Sequence, residues 1–378
     1  MVYYIGNYTC DAIRKEQRIV APAAENKMTY IITALSQALD EPFEVVSPAQ
    51  TRVRRFVKGK RQEITDGVTL KTFSSFNSKF KPLRVLGHVL TRCAFYGYLL
   101  AKVKRNDRLL VYHSPSYKTI VKALQKLKKC SVTIEVEELY AAVRGTAAQR
   151  EEEIAYLQTA DNYLFITELL RQAVNTEKPS VLSHGTYQAL PDYGFRFDDG
   201  KIHVVYAGTF RKSKGGAYTA IEAAEFLDDR YVLEVLGSGS DEENAAVKQL
   251  IEDVSNKTAC EIRYVGFKSG QEFNSYIQAC HIGLSTQPPN AGFNDTSFPS
   301  KVMMYMSNGL RVVSVRIPAV ETSAVGERIY YYDRQDPEEI ARVIRSVLFD
   351  DGYDSREHLD TLHKDFVEQL RTLLRVDQ

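Results

Sequence analysis

The feature that most constrains this chain is an alternation that runs twice. Short, mostly apolar segments read as strands: VYYIG (2–6), FEVVS (43–47), RLLVYHS (108–114), SVTIEVEEL (131–139) and NYLFIT (162–167). Between them lie stretches with helical spacing at 28–39, 82–105, 117–129, 151–160 and from 168 onward. Strands that alternate with helices build a parallel sheet covered on both faces. HGTYQALPDYGFRFDDGK (184–201) then breaks the pattern with Gly, Pro and Asp. The alternation restarts with KIHVVYAG, YVLEVLG, EIRYVG, HIGLST and RIYYYD, separated by helical stretches at 217–227, 241–253 and 270–280. Helices at 337–349 and 355–375 close the chain. The class is α/β, with two doubly wound domains facing across a cleft. The expected boundaries are 1–185, a linker at 186–201, 202–350, and a C-terminal helix in 351–378 that packs back on the first domain. Residues 7–27 read as a polar loop, and 51–81 as irregular with one strand near VTLKTF. Ligands in such domains bind outside the carboxyl ends of the strands.

Other classes fall away. MVYYIGNYTCD has neither the basic start nor the apolar run of a secretory leader. No run of about 18 uncharged apolar residues is present to span a bilayer. Five cysteines are scattered without a C-x-x-C pair, which fits a reducing cytoplasm and not a structural zinc site. The net charge of +1 hides an asymmetry, because residues 51–129 hold 20 basic and 3 acidic residues. A field of that sign draws anions such as nucleic acid or an anionic membrane surface.

Three stretches carry the chemistry of anion binding. VVYAGTFRKSKGG (204–216) is a strand, a basic loop and a helix start. Gly208 admits close backbone approach, and Arg211, Lys212 and Lys214 surround the loop. LEVLGSGSDEE (233–243) ends a strand in a Gly-Ser turn at Gly237. SFPSKVMMYMSNGLRVVS (297–314) puts Lys301 in the first turn of a helix. Helix starts carry partial positive charge and favour anionic side chains. A lysine there is accounted for when an external anion docks on it.

In order and spacing, these stretches resemble the GT-B-fold glycosyltransferases, the family-4-like, group 1 enzymes. The matching landmarks are YAGTFRKSKGG, LEVLGSGSDEE, IRYVGFKSGQEFNSYIQACHIGLS, SFPSKVMMYMSNGLRVVS and PAVETSAVGERIYYYDRQDPEEIARVI. TIEVEELY, DNYLFITELL and VLSHGTY add a looser match in the first half. The resemblance implies two Rossmann-like domains, a nucleotide-sugar donor (UDP- or GDP-linked) in the second, and an acceptor in the first. It implies no required cofactor. It matches Lys214 to the family's donor-diphosphate lysine, and Pro299-Ser300-Lys301 to a variant turn of one subgroup. The family's diphosphate arginine falls on Thr209, with Arg211 nearby. Its two glutamates fall on Thr296 and Met304, a departure from the pattern. The expected donor-binding set is Gly208, Arg211, Lys214, Gly237, Thr296, Ser297, Ser300 and Lys301. Asn290, Asn294 and Asp295 are further candidates for sugar hydroxyls.

The chemistry needs fixed cations and dipoles to take up charge on the departing diphosphate. No D-x-D signature points to a metal, and the pairs at 198–199, 228–229 and 350–351 read as turns. An inverting mechanism also needs a base near the acceptor hydroxyl. The candidates are Glu135 and Glu137 on one strand face, Glu138 beside them, and His113 at the end of RLLVYHS. The implied function is transfer of a sugar to a glycan or lipid-linked acceptor in surface polysaccharide or glycolipid synthesis. Residues 51–105 would rest on an anionic inner membrane face, and nucleic acid is not expected. A non-catalytic partner subunit, or a basic-faced binding protein, is the alternative left open by Thr296 and Met304.

Overall fold

A computed structural model describes residues 1–141, 145–212, 215–290, 294 and 296–375. The chain divides into two compact units: Met1–Ile166, Leu170–Ser183 and Lys364 onward form the first, and Thr167–Leu169 with His184–His363 form the second.

The first unit is built on β1 (Val2–Ile5), α1 (Pro22–Ala38), β2 (Phe43–Ser47), β3 (Phe56–Val57), β4 (Arg61–Thr65), β5 (Val68–Thr72) and β6 (Ser75–Phe76). Then come α2 (Lys81–Lys102), β7 (Arg108–Tyr112), α3 (Lys118–Lys128), β8 (Ser131–Val136), α4 (Ala147–Leu157), β9 (Asn162–Phe165), α5 (Glu168–Val174) and β10 (Ser180–Leu182). Among the described residues the main sheet has eight strands in the order β10-β9-β8-β7-β1-β2-β5-β4. Every pairing is parallel except β4 with β5. The central strands are buried along their length, Ile5, Val46, Val111 and Ile134 completely, as a sheet covered on both faces requires.

Two stretches read as loops are ordered differently. Residues 7–27 contain a 3-10 turn at Asp11–Glu16 and the first turns of α1, which starts at Pro22. Proline suits that position, where its missing N–H costs nothing. Residues 51–81 hold a hairpin, β4–β5, and a two-strand ribbon, β3–β6. The hairpin turns at Asp66-Gly67, with Gly67 at φ +73°, a residue pair suited to tight turns between antiparallel strands. Polar, half-exposed β4 lies at the sheet edge and so lacks the apolar run that marks a central strand.

The second unit contains β11 (Ile202–Thr209), α6 (Gly216–Ala223), β12 (Tyr231–Ser238), α7 (Asp241–Ser255), β13 (Glu261–Gly266), α8 (Gly270–Gln278) and β14 (Ile282–Ser285). It continues with α9 (Ser300–Ser307), β15 (Arg311–Val315), α10 (Pro318–Glu321), β16 (Ile329–Tyr332), α11 (Pro337–Arg345) and α12 (Ser355–Leu374). Among the described residues its six strands are all parallel, in the order β13-β12-β11-β14-β15-β16. Residues 184–201 carry no strand or helix and are tied to this unit. Leu190 N–H donates to the Ser307 carbonyl at 2.9 Å, and Tyr193 N–H to Gln278 Oε1 at 3.0 Å.

The last turns of α12, from Lys364, count with the first unit. Phe366 stacks on Tyr30 of α1 with centroids 5.7 Å apart. Arg371 donates to the Gln37 and Ala38 carbonyls at 2.9 and 3.2 Å, placing a cation at a helix C-terminus. Each sheet reverses direction once: between β1 and β7 in the first unit, and between β11 and β14 in the second. Such switch points open crevices at the carboxyl ends of the strands.

Candidate active site

In the second unit the crevice is lined by glycines. Gly208, near the end of β11, pairs in register with Gly237 of β12. A Cβ on Gly237, whose φ is +141°, would sit 1.7 Å from the Gly208 carbonyl oxygen, so only glycine fits there. A Cβ on Gly216, the first residue of α6, would lie 2.2 Å from the Thr286 carbonyl. Backbone is therefore bare at the β11–β14 switch point.

Lys301 reaches into this floor. Its Nζ lies 3.9 Å from the Tyr206 ring centroid, an ammonium on an aromatic face. A Cβ on Gly208 would come within 2.4 Å of that Nζ, so the glycine makes room for the lysine. Tyr206 shares the face of Gly208 because it stands two residues earlier in the strand. Its hydroxyl donates to the Thr209 carbonyl at 3.2 Å. α9 begins with Pro299 as its cap, no acidic residue in its first turn and no side chain capping it. The first backbone N–H groups of a helix have no partner within it, and exposed Ser300 adds a hydroxyl beside them.

Tyr305 fixes where this helix sits. Its ring covers Gly283, where a Cβ would be 2.2 Å from the Tyr305 Cγ. Its hydroxyl accepts from the Ala207 N–H at 2.8 Å and donates to the Leu284 carbonyl at 3.2 Å. β14 pairs with β11 only at Val204 and Val205, so the phenol carries the connection on as the two strands part.

The remaining donor-site expectations fall around this floor. Arg211 is exposed in the loop after β11, and Lys214 lies outside the described residues. Ser297 is half-buried, and the Thr296 carbonyl accepts from Thr167 Oγ1 at 2.9 Å. Asn294 is buried and ties its own loop, accepting from Gln287 at 2.7 Å and donating to the Pro288 and Pro289 carbonyls at 2.8 and 2.9 Å. Asn290 is exposed at the loop's turn, and Asp295 lies outside the described residues. Half-buried Met304 supplies its carbonyl to Ser307 and Asn308 within the helix end.

In the first unit, Glu135 and Glu137 come together beside Lys27. Glu135 is buried at the end of β8 and takes a short hydrogen bond from the Tyr4 hydroxyl, while its Oε1 has no hydrogen-bond partner. Burial, and then the neighbouring Glu137, push its pKa up to about 8, against the opposing pull of Lys27 and Tyr4. Glu137 is also raised by burial, offset by Lys27, whose Nζ stands 3.6 Å from Oε1. That Nζ also donates to the Ser183 carbonyl and hydroxyl, each at 2.9 Å. The Glu137 side chain keeps 17% of its exposure, so of the pair it is the one a substrate can reach. His113 is 1% exposed and faces Glu153, with Nε2 3.3 Å from Oε1 but without a hydrogen bond to it. Glu153 instead accepts from the N–H groups of Tyr140 and Ala141 at 2.9 and 2.8 Å. Burial pushes the His113 imidazole down to about 4, so it is neutral near pH 7.

Lys27, Tyr4, Tyr206 and Tyr305 escaped the sequence reading. Tyr206 and Tyr305 lie inside the quoted motifs. Their signal was a tyrosine two or four residues from the Gly or Lys already singled out. Lys27 fell in the stretch read as loop. Among the described residues no group of three His, Cys, Asp or Glu side chains converges on a metal site.

Residues 201–350 match the family model described as glycosyl transferases group 1. Most of the second unit is thus similar to a group 1 glycosyltransferase domain. The chain is accordingly a glycosyltransferase. No curated protein matches the chain. Among solved structures, a UDP-forming α,α-trehalose-phosphate synthase from Burkholderia xenovorans is similar at TM-score 0.63 and 12% identity, covering 99% of each chain. A B. xenovorans synthase in complex with glucose-6-phosphate is similar at TM-score 0.60 and 12% identity, covering 98% of this chain and 96% of that one. An E. coli structure described as trehalose-6-phosphate bound with UDP-2-fluoro glucose gives TM-score 0.59 and 10% identity, covering 99% and 96%. Identity this low carries the fold, and the glycosyltransferase thus has the GT-B fold of two Rossmann-like domains.

Proposed function

We propose that this glycosyltransferase moves a hexosyl group from a UDP-sugar to an acceptor hydroxyl on a glycan or a lipid-linked saccharide, in synthesis of a surface polysaccharide or glycolipid. The observation that carries the donor half is Lys301 resting on Tyr206 above the Gly208–Gly237 floor. A diphosphate lying on bare backbone there meets the Lys301 ammonium, the Ser300 hydroxyl and the positive N-terminal end of α9. Arg211 extends from the adjoining loop, Lys214 joins the set on the family resemblance alone, and Thr296 and Ser297 border the helix start. UDP is favoured as the carrier because the similar E. coli structure holds a UDP-sugar.

In the reaction the acceptor oxygen bonds to the anomeric carbon as the bond to the diphosphate oxygen breaks. The leaving diphosphate keeps that electron pair, and the cations and dipoles above stabilise it. Glu137 is the group assigned to receive the acceptor proton. Glu135 is mostly protonated at neutral pH and spares the pair a second buried negative charge, and His113 packs against Tyr140 and Tyr156 with Nδ1 3.2 Å from the Glu138 carbonyl. An acceptor carried on a lipid brings the protein to the cytoplasmic face of a membrane as a peripheral protein. No described helix is long and apolar enough to cross one.

The test is a thermal-shift panel of nucleoside diphosphates, followed by donor turnover. UDP at about 100 times its Kd stabilises the fold by about 2.7 kcal/mol, Lys301→Ala loses that response, and Glu137→Gln keeps it while losing turnover. No response to any nucleoside diphosphate refutes the donor site.

A further inference from the structure

The first half of α2 is packed the wrong way round for a helix in water. Its inward stripe is slight: Gly87, where a Cβ would meet the Phe76 carbonyl at 2.7 Å, and Thr91, whose hydroxyl donates to the Ser74 carbonyl at 2.8 Å. The outward side is apolar. Leu83, Leu86 and Leu90 recur at three- and four-residue spacing with Val85 and Val89 beside them, each between 47% and 54% exposed, and Phe80 before the helix is 62% exposed. A solvent-facing helix surface normally carries polar residues there, and a contiguous apolar face rimmed by charge marks an interaction site.

The rim has one sign. From Gly67 to Asn106 the sequence contains no Asp or Glu, while Lys79, Lys81, Arg84 and Arg92 flank the apolar face. A second basic segment adjoins it. β3 pairs with β6, Phe56 against Phe76, and Asn77 holds the Arg52 carbonyl at 3.0 Å. This keeps exposed Arg54, Arg55 and Phe56 (65% exposed) beside the start of α2. The same helix walls a cavity of 380 Å3 with Asn7, Gln50, His88, Arg92, Ser116 and Tyr117. Asn7, Gln50, Ser116 and Tyr117 follow β1, β2 and β7, so the cavity opens at the ligand-binding end of the sheet.

We propose that the N-terminal half of α2 and the Arg52–Lys58 segment dock this protein on an anionic lipid surface. Apolar side chains enter the boundary between headgroups and acyl chains, and the basic rim meets the headgroup charge. Charge selects this occupant over a second copy of the chain. Two such faces brought together would oppose Lys79, Lys81, Arg84 and Arg92 with their own kind, with no carboxylate in the segment to offset them. The purpose of the surface rests on the lipid-linked acceptor reading. The docking itself needs neither donor nor turnover.

The full chain is sedimented with phosphatidylcholine vesicles, with and without phosphatidylglycerol, at low and high salt. Binding is expected only with phosphatidylglycerol and is weakened by salt. Leu86→Glu with Leu90→Glu, and separately Arg54→Ser with Arg55→Ser, are expected to weaken it more than about tenfold, with stabilisation by UDP unchanged. All four positions are exposed, and the unchanged nucleotide response shows that the variants fold. Equal binding to both vesicle types, no binding to either, or variants that bind as wild type overturn the proposal. So does a solution dimer that Leu86→Glu converts to monomer, because it assigns the face to self-association. A wild-type chain that responds to UDP but binds neither vesicle separates failure of this inference from failure of the donor reading.

Discussion

Replacing Tyr305 with phenylalanine removes one oxygen and leaves the ring over Gly283. That oxygen is the acceptor for the Ala207 N–H at 2.8 Å. Ala207 is 5% exposed, and the β14 pairing ends two residues before it, so water does not replace the phenol without opening the strand. Leaving a buried N–H unpaired costs about 1–3 kcal/mol, against a total stability of about 5–15 kcal/mol for a typical native protein. At about 1.4 kcal/mol per factor of ten, the opening equilibrium at the end of β11 rises about 5- to 150-fold. Amide hydrogen exchange measured by mass spectrometry on peptides spanning 202–210 reads this directly. Exchange is expected to quicken there and to stay constant in peptides of β7 and β8. Two units need not unfold in one step, so a local readout is preferable to a global melt. Wild-type protection across 202–210 in Tyr305→Phe would refute the claim that the phenol extends the strand pairing.

Gly237→Ala forces a side chain into a +141° φ and to within 1.7 Å of a carbonyl oxygen. A loss of more than about 3 kcal/mol is expected, read as a lower urea midpoint or loss of soluble protein; a wild-type midpoint contradicts the crowding. His203 is pulled down by burial, but the hydrogen bonds its ring donates to the Glu234 and Asp199 carboxylates outweigh this and raise its pKa. Its stabilisation is present below about pH 6.5 and fades as pH rises through the folded value. His203→Gln should flatten that part of the thermal-midpoint profile, and an unchanged slope would rule the ion pairs out as its source. His113 works in the opposite direction. With its pKa pushed down to about 4, the stability from keeping it neutral is present above about pH 6.5 and lost as pH falls toward 4, up to about 3 kcal/mol; acid unfolding of His113→Asn should show a shallower loss. Glu135, raised to about 8, penalises the folded state as it ionises, so Glu135→Gln should raise the thermal midpoint above about pH 8 more than below about pH 5. An equal effect at both ends would remove the titration as its cause.

The candidate donor site was partly legible because its pieces announce themselves locally. Gly208 closes a strand, Lys301 opens a helix that lacks an acid, and each is visible within a few residues. The elements most easily read were the central strands, whose apolar runs need no partner to be recognised. Where the reading failed, the cause was local too. β4 is an edge strand with a polar pattern, and its only clear signal was the Asp66-Gly67 turn. The first turns of α1 carry Ala, Glu and Asn rather than an apolar stripe, so the Pro22 start passed as loop. Glu135 and Glu137 could be placed on one strand, but their surroundings could not.

By itself the sequence determined the order of the central strands and main helices, the doubly wound class and the concentration of positive charge in residues 51–129, because periodicity, glycine placement and charge are properties of neighbouring residues. Only the tertiary structure decided which of them meet. Lys301 lies on Tyr206 because β14, about 80 residues beyond β11 in the chain, is its neighbour in the sheet. Glu135 holds Tyr4, and Lys27 holds Ser183 and Glu137, across comparable separations. Strand order and helix packing set those distances, and the free energy that selects them is summed over the whole fold rather than written in any one segment.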